Sequence, residues 1–281
     1  MPRDGLNVHF LLISQSQPNY DKMKKLLLTI SISLVSICPF ILTGCEKEDP
    51  NAISMNDVNK GVIMIQGKDG HEYAVVDLGL TTGKLWATCN VGADSPEQFG
   101  TFFAWGETEP KEIYSWDSYK WVNDGDPFEF NKYCALKAYG GVEQFKDDKK
   151  TLEKADDAAT VLLGDNFSTP TPKDFTELDY RCKKRRCKLN GVWGFLFTST
   201  VKGYENNSIF IPLSGRMDSS KGESLHKFKG DYGFYWCNSV NDTPTSFVFW
   251  METTNGENSA SSKTSLERYL GLNIRAVTKA K

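Results

Sequence analysis

The sequence predicts an α+β fold of antiparallel sheets with two short helices, and three observations carry that expectation. Val62-Ile63-Met64-Ile65, a turn at Gly67-Lys68-Asp69-Gly70 and the run from Glu72 to Asp77 have the pattern of a β-hairpin. Runs at 192–198, 208–213, 232–237, 246–251 and 272–277 are apolar or aromatic and are separated by Gly, Asn and Ser clusters, which marks further strands. Two segments between them carry helix-start signals instead.

The hairpin leads into the stretch 75–111, where Gly-punctuated turns alternate with aromatic runs. Leu85, Ala87 and Cys89 alternate there with Trp86, Thr88 and Asn90, so one strand face is small and the other carries a Trp and polar groups. The first helix is expected over 158–163, capped by Asp156 or Asp157 and stopped by Gly164. The second has Thr171 as N-cap, Pro172 at N1 and an acid, Asp174, at N3. Phe175, Leu178 and Cys182 keep its apolar face. It is expected to end in the basic run Arg181, Lys183, Lys184, Arg185, Arg186 and Lys188, whose cations suit a helix C-terminus. The sharper alternative is an anion site formed by Arg181, Lys184, Arg185 and Arg186, for a sulfated glycan, a phosphate or another acidic partner. In Ser246-Phe247-Val248-Phe249-Trp250 large residues occupy both faces, which predicts a central or doubly covered strand.

The N-terminal part reads as delivery. From Met23 a basic start, Lys24-Lys25, precedes an apolar run over 26–42 that contains a Pro and then small residues before Cys45. At roughly 17 residues the run is short for a spanning helix, which needs about 20, and suits a signal sequence. Leu42-Thr43-Gly44-Cys45 resembles the lipobox of bacterial lipoproteins, so Cys45 is the expected lipidation site. Met23 is the expected start, with 1–22 a gene-model extension, 23–44 a lipoprotein signal peptide, 45–60 a flexible tether and 61–281 one domain. Glu46-Lys47-Glu48-Asp49 resembles the surface-export signal of Bacteroidetes-type lipoproteins. The expected location is therefore the outer membrane, with a lipid anchor and exposure at the cell surface. Net charge is -3, and -5 for a chain beginning at Cys45, because the first 44 residues carry four basic and two acidic groups. Such a chain lacks the positive field of nucleic-acid binders, so nucleic acid is not an expected partner.

An ordered series of motifs resembles the Fibrobacter succinogenes major paralogous domain family of bacterial lipoproteins. Val76-Asp77-Leu78-Gly79-Leu80, Leu85-Trp86-Ala87-Thr88-Cys89-Asn90-Val91-Gly92-Ala93 and Phe103-Ala104-Trp105-Gly106-Glu107-Thr108-Glu109-Pro110-Lys111 open it. Tyr114-Ser115-Trp116, Lys132-Tyr133-Cys134, Asn207-Ser208-Ile209-Phe210-Ile211-Pro212, Gly233-Phe234-Tyr235-Trp236 and Ile274-Arg275-Ala276-Val277 continue it almost to the end of the chain. The resemblance implies a C-type-lectin-like fold, no established enzymatic activity, and a binding role at the surface. In that fold the C-terminal segment is the ligand face. Trp236 with Asn238, Ser239, Asn241, Asp242, Asn255, Asn258 and Ser261, on polar loops between strands, are the ligand-binding candidates, since adaptable polar groups beside rigid aromatics make a paratope-like surface.

The chemistry of enzymes is thinly represented. His71 and His226 sit in no metal or triad spacing, and phosphate loops and hydrolase motifs are lacking. Glu107 and Glu109 beside Trp105 have the composition of a glycosidase subsite, but are read as a solvated loop. Asn123, Asp124 and Asp126 form an oxygen-rich loop without the signatures of calcium-dependent lectins. With Cys45 lipidated, Cys89, Cys134, Cys182, Cys187 and Cys237 are an odd set, read chiefly as buried thiols. No catalytic residue, metal or cofactor is expected. The reading is a lipid-anchored, non-catalytic binding or adhesion module for a glycan or protein ligand. Its alternatives are a secreted carbohydrate-active enzyme and a structural envelope lipoprotein without a specific ligand.

Overall fold

The computed structural model describes residues 49–219, 225–242, 244–254 and 257–279. The chain separates into two units, Met1–Lys47 and Glu48–Lys281, and the described residues lie in the second. Cys45 and Asn255 are outside them.

In chain order the elements are β1 (Ala52–Ile53), β2 (Val62–Gln66), β3 (Glu72–Asp77), β4 (Lys84–Ala87), α1 (Ala158–Leu163), β5 (Phe167–Ser168) and α2 (Pro172–Arg181). There follow β6 (Cys182–Leu189), β7 (Val192–Ser199), β8 (Ser208–Pro212), β9 (Arg216–Asp218) and β10 (Leu225–Lys227). The last are β11 (Tyr232–Asp242), β12 (Thr245–Thr254), β13 (Glu257–Glu267) and β14 (Val277–Lys279). The strands form a five-stranded sheet in the order β2-β3-β4-β14-β5, a four-stranded sheet β1-β6-β7-β8, a three-stranded sheet β11-β12-β13 and the ribbon β10-β9. The pairings between these strands are antiparallel except β1 with β6. The α+β expectation holds at this level.

The three-stranded sheet divides the core. Strand period two sends Phe234, Trp236, Val240 and Val248 to one apolar cluster, with Phe103, Trp105 and Tyr133. It sends Tyr235, Cys237, Phe249 and Met251 to another, with Trp86, Phe175 and Leu178. β12 lies between β11 and β13 and is covered on both faces, as its two-sided apolar pattern predicts. β4 is double-faced too: Leu85 and Ala87 join the first cluster and Trp86 the second. Thr88 and Asn90, which follow Trp86 on its face, are buried too.

Both helices begin where cap chemistry places them. The Asp157 carboxylate accepts from Ala159 N at 3.0 Å and from Thr169. Thr171 and Asp174 form a reciprocal capping box, and Phe175 stacks on Phe249 with ring centroids 4.4 Å apart. The helix ends at Arg181, however, and the basic run beyond it is strand β6. Eight residues of β6 pair with β7, from Cys182↔Ser199 to Leu189↔Val192, across an Asn190-Gly191 turn. Cys182 and Cys187, five apart on a strand, point to opposite faces, and no disulfide joins these two.

Two further expectations are corrected. The described part of the tether is docked: Ala52 and Ile53 pair with Lys188 and Leu189, and Val58 is buried against Leu189, Leu196 and Phe210. Glu107 is buried rather than solvated. Its carboxylate holds Lys111 at 2.6 Å and accepts from Lys120 N at 2.9 Å, which folds the loop back on itself.

Candidate functional site

The site that stands out geometrically arises where strand β4 leaves strand β3. β4 pairs with β3 only over Val75–Asp77. The wholly buried Arg275 fixes the point of departure. Its guanidinium donates to the carbonyls of Ala87 at 3.2 Å, Thr88, and Phe210 at 3.1 Å. Thr88 N still reaches Ala74 O at 3.0 Å, but the chain then turns aside to place Val91 N on Ile274 O at 3.0 Å. The first half of β3 is left without a strand on that side. Bond alternation in the β2-β3 ladder, set by Gly67 N on His71 O, directs the main-chain groups of Glu72 towards the gap.

The gap is a cleft of about 830 Å³, in the size range of ligand sites. β3 and the segment 87–96 line it, with Phe103, Met55, Met64 and Leu162 contributing apolar wall. Met55, Met64 and Leu162 are exposed, and unbranched Met side chains adapt to irregular partners. Glu72, Asp94 and Glu109 line the cleft as well, whereas among the described residues no Lys or Arg does. None of these three carboxylates forms an ion pair with a described residue. Glu107, two residues from Glu109, is in contrast neutralised by Lys111.

Cys89 also lines the cleft, with Thr88 Oγ1 3.5 Å from its sulfur, and is the one described thiol that is not buried. This departs from its expected burial, because β4 ends before Cys89 and no strand covers it. Beneath it, Asn90 donates to Phe99 O at 2.8 Å while its buried Oδ1 has no hydrogen-bond partner. His71 packs edge-on to Tyr73 at 4.4 Å.

No protein-family model, curated protein or solved structure matches this chain.

The described candidates from the C-terminal segment lie on strands and in the core rather than on loops. Trp236 is 1% exposed and donates from Nε1 to Phe103 O at 2.8 Å, so it is a core anchor. Asn238, Ser239, Asn241 and Asp242 lie in β11, and Asn258 and Ser261 in β13. Asn238 is further tied by its main chain to Pro170 O and Leu152 N, both at 2.9 Å. Asn241 donates to Ser265 at 3.1 Å, and Asn258 accepts from Thr253 at 3.0 Å. Ser265 and Asn258 pair with Phe247 and Thr253, so the two asparagines are roughly 20 Å apart along the sheet.

The basic set is divided in the same way. Lys184 is paired with Asp179, and Arg186 stacks on Trp193 at 3.9 Å while donating to Gly230 O at 3.0 Å. Arg181 and Arg185 are exposed, one closing α2 and the other on β6. The Asn123 to Asp126 loop uses its oxygens locally, Asn123 on Asn131 and Asp126 on Phe128 N. Among the described residues no group of His, Cys, Asp and Glu is arranged to hold a metal ion.

Proposed function

We propose that this chain is a lipid-anchored, surface-exposed, non-catalytic binding module with a C-type-lectin-like domain of the Fibrobacter succinogenes major paralogous type. The anchor is Cys45, and the ligand is a glycan or protein met outside the cell. The observation that carries a binding role is the cleft between β3 and the segment 87–96, formed, mixed in polarity and open to solvent. It takes the place of the C-terminal loops in this reading. Two of the aromatic motifs that carry the resemblance support the domain type by locking together: Trp105 donates to Cys237 O at 2.9 Å, and Trp236 to Phe103 O. Among the described residues no helix is long and apolar enough to cross a membrane, so a membrane-bound form of this unit would be held through the segment before it or through its strands.

Two measurements test the reading. Labelled fatty acid should enter the protein and be lost in Cys45→Ala, and surface proteolysis of intact cells should remove the domain. The lipoprotein on glycan and cell-surface arrays should retain specific ligands. Retention of none would leave a structural envelope role, and product release without retention would indicate an enzyme.

A further inference from the structure

We infer that the cleft beside β3 takes an extended peptide segment of a partner protein that carries Lys or Arg between apolar residues. This rests on the binding-module reading and assigns its ligand class. The main-chain groups of Glu72 face the gap left by β4, so an added strand has donors and acceptors to meet, which is the basis of strand-addition recognition. The walls at Met55, Met64, Leu162 and Phe103 suit apolar side chains. Charge complementarity selects the rest of the sequence. Among the described residues, Glu72, Asp94 and Glu109 have no ion-pair partner and no Lys or Arg lines the cleft, so a basic segment is attracted and an acidic one repelled. A second copy of this chain offering its β2 edge, Val62–Gln66, is a poorer occupant by the same criterion, because that strand is uncharged.

The test uses the full lipoprotein in detergent and fluorescent hexapeptides Val-Lys-Ile-Lys-Val-Thr and Val-Glu-Ile-Glu-Val-Thr. The lysine peptide should bind, the glutamate peptide about tenfold more weakly or not at all, and added salt should narrow the difference. Glu72→Gln with Asp94→Asn and Glu109→Gln should abolish the discrimination without lowering Tm, since all three carboxylates are exposed. N-methylation of the lysine peptide backbone should weaken it further. Equal binding of the two peptides, discrimination that survives the triple variant, or butylamine binding as tightly as the lysine peptide would each overturn the inference. Retention of glycans or cells without any peptide binding would overturn it too, while leaving the binding-module reading intact.

Discussion

Trp236 and Phe103 are joined by an indole-to-carbonyl hydrogen bond of 2.8 Å in the interior, and Trp105, two residues beyond Phe103, returns one of 2.9 Å to Cys237. The two tryptophans thus clasp the 103–105 segment to β11. Leu272 N also reaches Phe103 O, so removal of the Trp236 donor would not orphan that carbonyl.

Trp236→Phe should therefore destabilise by about 2 kcal/mol, one part for the buried hydrogen bond and one for the void left by the smaller ring. A urea midpoint shift at constant slope reads this. Glycan or cell retention should be unchanged in the folded variant. If retention fell while the midpoint stayed put, Trp236 would be a ligand contact and not a core anchor.

Arg275 sets the mouth of the cleft, so Arg275→Met should have two effects. Three carbonyls lose a charged donor, which costs about 3 kcal/mol or more. The exit of β4 at Ala87 and Thr88 also loosens, and maleimide labelling of Cys89 in the native state should accelerate. Unchanged labelling in a destabilised variant would show that the cleft is shaped without this side chain.

The same thiols give a pH prediction. At pH 8 native protein should label at Cys89, with Cys134, Cys182, Cys187 and Cys237 protected by burial. Burial, assisted by the nearby Asp179 and Glu177, pushes the Cys182 thiol up to about 12 from its ordinary 9.0. Between those values the unfolded chain releases a proton that the folded chain keeps. The stabilising contribution is thus full below pH 9 and is lost as pH rises through about 12. Burial raises Cys187 and Cys237 in the same direction. Denaturant midpoints from pH 8 to 11 should fall, and less steeply in Cys182→Ala.

How far the sequence reveals this structure depends on whether a signal is local. The hairpin at 62–77 and the caps at Asp157 and Thr171 are set by neighbouring residues, and they form as their patterns predict. β13 has no apolar alternation: Ala260 and Leu266 stand among Ser, Asn, Thr and charges. It is a strand because it zips along β12, whose own residues supply the burial. The cleft is less legible still: its mouth depends on Arg275 reaching Thr88 across 187 residues, and no windowed pattern contains that contact.

β6 is the instructive error, because its signal was present. Phe175, Leu178 and Cys182 keep helical spacing, and the cations beyond them suit a helix end, but Asn190-Gly191 is the strongest short hairpin signal in that region. Asn190 and Gly191 have φ of 48° and 79°, the left-handed pair that a tight hairpin turn requires. A Cβ added at Gly191 would meet nothing within 4 Å, so Gly191→Ala isolates the conformational term. It should cost about 1 kcal/mol, and Asn190→Gly should be close to neutral. Thermal unfolding of the two variants checks this. A chain in which the basic run continued as helix would give the opposite order, since Ala would favour helix over Gly and Gly at 190 would weaken it.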